Sequence, residues 1–215
     1  MSAEVRWFFE GPVPDAIEQW FGRSDSACTA SPREDHYVMF PASLGLNVKL
    51  REGRLEVKSL VKVLGARTFS ADVAGNVQVW EKWSGGDAAV KEFERLRTST
   101  PDLWIAVTKQ RTLRKFSPDD GSIREVQAGE VFLQEGCNVE LTRITAVGSS
   151  YWSLAFEAYG DPSRVEASLL AVAEHVFSDS HRPRPSKKSA FSADPFSAAN
   201  SHSYPEWLAR LSKTA

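Results

Sequence analysis

The chain has 215 residues, 42% of them hydrophobic, with 26 Lys and Arg against 28 Asp and Glu for a net charge of −2. That balance argues against a nucleic-acid partner, and no apolar run approaches the roughly 18 residues of a membrane-spanning helix. The N-terminal MSAEVRWFFE carries a glutamate where a secretory signal needs basic and then purely apolar residues, so a soluble, cytoplasmic protein is expected.

Short alternating runs between turn residues dominate positions 4 to 159. They predict strands near 4–9, 36–40, 45–51, 54–61, 76–83, 103–116, 123–126, 131–133, 137–144 and 151–159. Helical patterns interrupt them. Pro14 to Phe21 has a proline in its first turn and Gly22 as its stop. Asp87 to Arg97 places Val90, Phe93 and Leu96 on one face, and Asp161-Pro162-Ser163 opens a helix striped by Val165, Leu169, Val172 and Val176. After Phe177 the composition changes. Ser178 to Ser203 is rich in Ser, Pro and Ala and reads as extended, with Arg182, Arg184, Lys187 and Lys188 solvated or facing an acidic partner. Tyr204 to Leu211 gives one or two apolar turns that dock back on the body. The expected division is a domain over 1–177 and a tail over 178–215.

Splitting each strand by parity exposes a charged face. Glu4 and Arg6 oppose Val5 and Trp7; Asn47, Lys49 and Arg51 oppose Leu46, Val48 and Leu50; Glu56 and Lys58 oppose Leu55 and Val57. Lys109 and Arg111 share a side, Asn138, Glu140 and Thr142 oppose Val139 and Leu141, and Glu157 sits on an otherwise apolar strand. A half-exposed sheet satisfies this pattern. So does an α+β fold whose antiparallel strands curl into a barrel of about eight, closed or cupped, with helices over its apolar outside and charges in its lumen. The lumen would then hold Arg6, Lys49, Arg51, Lys58, Lys109 and Arg111 beside Glu4, Glu56, Glu140 and Glu157. Converging Lys and Arg match a chain of phosphates, and glutamates among them call for a cation such as Mg²⁺ or Mn²⁺.

Other residues read more plainly. Cys28 and Cys137, far apart, are small buried hydrophobes, and the four scattered histidines make no zinc motif. Asp35 reads as a turn or strand-end residue, and Lys82 rather than Glu81 faces the lumen. Trp7, Trp20, Trp83, Trp104 and Trp152 read as packing residues, while Trp80 is the one placed to stack on a base.

The ordered set Glu4-Val5-Arg6, Asp35-His36-Tyr37, Val48 to Lys58, Lys109-x-Arg111 and Glu157 resembles the CYTH, or triphosphate tunnel metalloenzyme, superfamily over residues 2 to 160. The resemblance implies a closed tunnel of about eight antiparallel strands. It also implies a small phosphorylated anion as ligand, the six basic residues as its binding set, the four glutamates as ligands of Mg²⁺ or Mn²⁺, and phosphohydrolase chemistry. Two positions depart from the family pattern: Ser2 and Ala155 stand where carboxylates are usual. Loss of part of the metal site leaves a non-catalytic anion-binding or protein-interaction module as the alternative.

Overall fold

A computed structural model describes residues 1–40, 42–119, 122–178 and 196–212. Alternation of apolar and polar residues over Ser2–Glu10 makes β1, and a proline-led first turn starts α1 at Asp15–Phe21. There follow β2 (Cys28–Thr29), β3 (Arg33–Val38), β4 (Leu46–Arg51), β5 (Arg54–Ser70), β6 (Val73–Gly85) and α2 (Asp87–Ser99). The chain continues through β7 (Trp104–Asp119), β8 (Ser122–Val126), β9 (Gly136–Ala146), β10 (Ser149–Tyr159), α3 (Val165–Ser178) and α4 (Tyr204–Leu211).

The strands run antiparallel in the order β7-β3-β4-β5-β6-β1-β10-β9, and β9 pairs β7 again over Val107–Phe116. Eight strands therefore close into a barrel, with β2 and β8 added along β7. Closure removes the unpaired edges that an open sheet would present, and it eliminates the half-exposed sheet as an architecture. The long β5–β6 hairpin bends at three register shifts, one of them at Gly65, whose φ of 79° suits only glycine without strain.

The outward face is the hydrophobic one. Val5, Trp7, Val139, Leu154 and Phe156 pack beneath Leu169, Val172, Ala173 and Phe177 of α3, with Ile17 and Phe21 of α1 at the margin. Trp7 lies so close over Gly75 that a Cβ there would fall 2.6 Å from its ring, which fixes that position as glycine. β1 and β6 pair only over Ser2–Glu4 and Gln78–Trp80. Beyond that point the segment 196–202 fills the wall between them. Trp7 bridges Ser201, the His202 amide donates to Arg6 O at 2.9 Å, and the Asn76 amide donates to Ser201 Oγ at 2.9 Å.

α4 then enters one end of the barrel. Ser203 caps it through a reciprocal box with Glu206, and Trp207, Leu208 and Leu211 pack on the inward-facing Phe8, Tyr37, Val107, Ile144 and Ala146. Trp207 stacks on Phe8 with centroids 4.5 Å apart and planes 3° from parallel.

Several expectations need correction. Residues 131–133 form no strand, and Phe132 is 88% exposed in a loop. β3 begins at Arg33 rather than 36. Trp83 and Leu96 are exposed rather than packed, and Cys28 is exposed while Cys137 is buried. Arg182, Arg184, Lys187 and Lys188, with most of the expected extended segment, lie outside the described residues, and the boundary expected after residue 177 falls one residue before the end of α3. No helix among the described residues is long and apolar enough to cross a membrane.

Candidate functional site

All ten lumen residues read from the sequence line one cavity of about 150 Å³, joined by Arg33, Tyr37, Lys82 and, from the α4 end, His202 to Pro205. Trp80 also lines it, though its side chain is otherwise buried. Four carboxylate clusters organise the wall, each assembled from neighbouring strands.

The first centres on Asp35, fully buried on β3. Arg51, its cross-strand partner on β4, donates to it through Nε at 2.6 Å and Nη2 at 2.9 Å. Lys109 approaches at 3.1 Å, Lys49 at 3.6 Å and Arg33 at 3.7 Å. Burial opposes ionisation of Asp35, but the Arg51 hydrogen bonds and the two lysine charges outweigh it and hold the carboxyl well below its usual range. The sequence reading missed both Asp35 and Arg33.

The second centres on Glu56. Lys49 and Lys82 each reach it at 2.9 Å and Arg51 at 3.5 Å, so its carboxyl is held at about 2 against the effect of burial. In the third, Arg6 reaches Glu140 at 3.0 Å and Arg111 reaches it at 2.7 Å. Here the departure at residue 155 acquires a physical account. Ala155 stands in register between Arg6 on β1 and Glu140 on β9, and its methyl group leaves the guanidinium a path across β10. The fourth pairs Glu4 with Glu157, direct cross-strand partners, and Lys58 contacts them at 2.5 Å and 2.9 Å. Ser2 donates its hydroxyl to Glu4 at 2.7 Å.

Two lysines are poised near neutrality. Burial pushes Lys109 down to about 7, with Arg6 and Arg51 adding to the shift and Asp35 opposing it. Burial and the neighbouring Lys109 bring Lys49 to about 7 as well. Lys109 donates to the Tyr37 hydroxyl and lies 3.8 Å from the ring centroid of Tyr204, which stacks on Tyr37 at 5.4 Å. Arg6 sits 5.0 Å from the same Tyr204 ring. The α4 end of the cavity is thus a pair of tyrosine faces set against two cations. The tail was expected to dock, but not to supply a wall of the site.

Eight basic side chains line the cavity against four glutamates, with Asp35 a fifth carboxylate behind them. Arg33 Nε and Arg111 Nε are buried and make no hydrogen bond to the described residues. A lumen with surplus cations and unspent donors favours an anion, since uncompensated buried charge is costly. A divalent cation fits the wall less well. Among the described residues no three His, Cys, Asp or Glu side chains converge as metal ligands, and each lumen glutamate is already engaged by lysine or arginine.

No family model matches the chain, and no curated protein does. Among solved structures, a protein of Pyrococcus horikoshii OT3 aligns over 99% of both chains at 10% identity, with a TM-score of 0.50. A conserved hypothetical protein of Pyrococcus furiosus aligns over 87% of this chain and 98% of its own, at 14% identity and a TM-score of 0.42. A candidate adenylate cyclase of Bacillus halodurans aligns over 90% and 100%, at 10% identity and a TM-score of 0.34. At these identities the likeness concerns the fold alone.

Proposed function

We propose that this chain is a CYTH-like tunnel protein whose lumen captures a compact anion of the triphosphate or polyphosphate type. The surplus of basic side chains around the cavity carries the reading: Arg6, Arg51 and Arg111 offer forked donors, while Lys49 and Lys109 stand ready to take up charge when an anion arrives. The cavity, about 150 Å³, is below the roughly 300–1,000 Å³ of pockets that enclose drug-sized ligands. Its size therefore favours a phosphate chain over a whole nucleotide while α4 is seated.

Metal-dependent hydrolysis is the second reading, and the in-register pair Glu4 and Glu157 is the feature that favours it. One experiment separates the two. Inorganic tripolyphosphate is titrated calorimetrically into the protein in EDTA and again in Mg²⁺, with orthophosphate release followed in parallel. A saturable one-to-one heat in EDTA with no product supports capture; orthophosphate released only with Mg²⁺ supports hydrolysis; no saturable heat in either condition removes both.

A further inference from the structure

Lys58 stands where a cation bridging two lumen carboxylates would stand. Glu4 and Glu157 face each other across β1 and β10, and two like charges in that relation repel. Both carboxylates are largely withdrawn from solvent, at 20% and 24% side-chain exposure, so their repulsion is weakly screened. Lys58 lies on β5, which joins β1 only through β6, so its side chain crosses the lumen face to put one ammonium on both carboxylates, at 2.5 Å and 2.9 Å. Burial disfavours its charge, but the two glutamates outweigh that and hold it firmly protonated.

We infer that the Lys58 ammonium is a built-in counter-cation that occupies the divalent-cation position between Glu4 and Glu157, making the lumen independent of metal. The geometry leaves no room for both. Mg²⁺ sits about 2.0–2.1 Å from carboxylate oxygens, which would press it against an ammonium already at hydrogen-bonding distance from the same oxygens. Driving Lys58 aside would return a positive charge to a lumen lined by seven other basic side chains. The two departures from the family pattern point the same way. Ser2 offers Glu4 a hydroxyl rather than a second carboxylate, and Ala155 clears the path of Arg6. Glu140, whose charge also acts on Glu157, is already taken up by Arg6 and Arg111 and so is not free to join the pair as a further ligand. The inference concerns which cation the site holds and stands whether or not the lumen captures a phosphate chain.

The test uses Mn²⁺ alone, without any anion, so its outcome is separate from that of the tripolyphosphate titration. Free Mn²⁺ is followed by electron paramagnetic resonance in the wild-type chain, in Lys58→Met, and in Lys58→Met with Glu157→Gln. The wild type is expected to take up no stoichiometric Mn²⁺. Lys58→Met should gain one site per chain, tighter by at least about tenfold than any residual wild-type binding, and the added Glu157→Gln should abolish it. A folded Lys58→Met chain that gains no site overturns the inference. So does a wild-type chain that binds one Mn²⁺ and loses it in Glu157→Gln, a comparison that needs no substitution at Lys58.

Discussion

Anion capture by this lumen should be accompanied by proton uptake, and the amount follows from Lys49 and Lys109. In the folded chain both sit near 7, lowered from the usual 10.5 by burial and neighbouring cations. The charged groups facing them are Asp35, Glu56, Arg6 and Arg51, and the Tyr37 and Tyr204 rings flank Lys109. A lysine lowered to about 7 is only about one-tenth protonated at pH 8 and about nine-tenths protonated at pH 6. An anion that holds both fully charged therefore takes up roughly 1.8 protons at pH 8 and roughly 0.2 at pH 6. The same linkage weakens binding by about 30-fold between pH 7 and pH 8, since the shortfall in charge multiplies over two groups. The sign is fixed: uptake on binding, growing above pH 7. The assay is calorimetry in two buffers of different ionisation enthalpy, with sulfate beside tripolyphosphate because its charge is constant through this window. Saturable binding with no proton uptake at pH 8 would refute the reasoning, as would equal uptake at pH 6 and pH 8.

Two further outcomes follow from single side chains. Asp35→Asn leaves Arg51, Lys49 and Lys109 around a neutral amide, and breaking a buried ion pair in this way should cost about 3 kcal/mol in urea unfolding, partly restored by sulfate; an unchanged midpoint would contradict the central place given to Asp35. Trp207→Ala removes the ring stacked on Phe8 and set edge-on to Tyr151, for a loss of about 3–5 kcal/mol; a loss below about 1 kcal/mol would show that α4 is not seated in the barrel end.

The lumen was legible wherever a strand alternates cleanly. β1, β4 and β9 alternate polar with apolar residues over Glu4–Trp7, Leu46–Arg51 and Asn138–Thr142, Lys109 and Arg111 share a parity in β7, and that parity alone put Arg6, Lys49, Lys109 and Glu140 on the charged face. β3 defeated that reading because Arg33-Glu34-Asp35-His36 is polar on both parities, so nothing in the run shows that Asp35 is the buried one. The fold of β10 was read correctly while the meaning of Ala155 was not, because the Arg6–Glu140 pair that it admits joins residues 134 positions apart. Val131-Phe132-Leu133 has strand composition without a partner strand, and propensity of that kind yields to tertiary context. Closure rests on β7 meeting both β3 and β9, a relation no local window contains. The seat of α4 was equally hidden: Phe8 and Tyr37 each appear as a single apolar residue on a polar parity, Val107 and Ile144 adjoin the polar stretch of theirs, and only the closed barrel gathers the four at one end.

The central claim is that the lumen, rather than the surface, holds the anion. Its most direct test is the affinity for tripolyphosphate in EDTA of three chains: wild type, Arg111→Gln in the lumen, and Arg95→Gln on α2, where Arg95 is exposed and paired with Glu92. One saturable site is expected in the wild type, weakened by about tenfold or more in Arg111→Gln and unchanged in Arg95→Gln, since a charged hydrogen bond contributes about 1.5–3 kcal/mol and a distant surface charge little. Equal weakening in both variants, or no saturable site in the wild type, would contradict it.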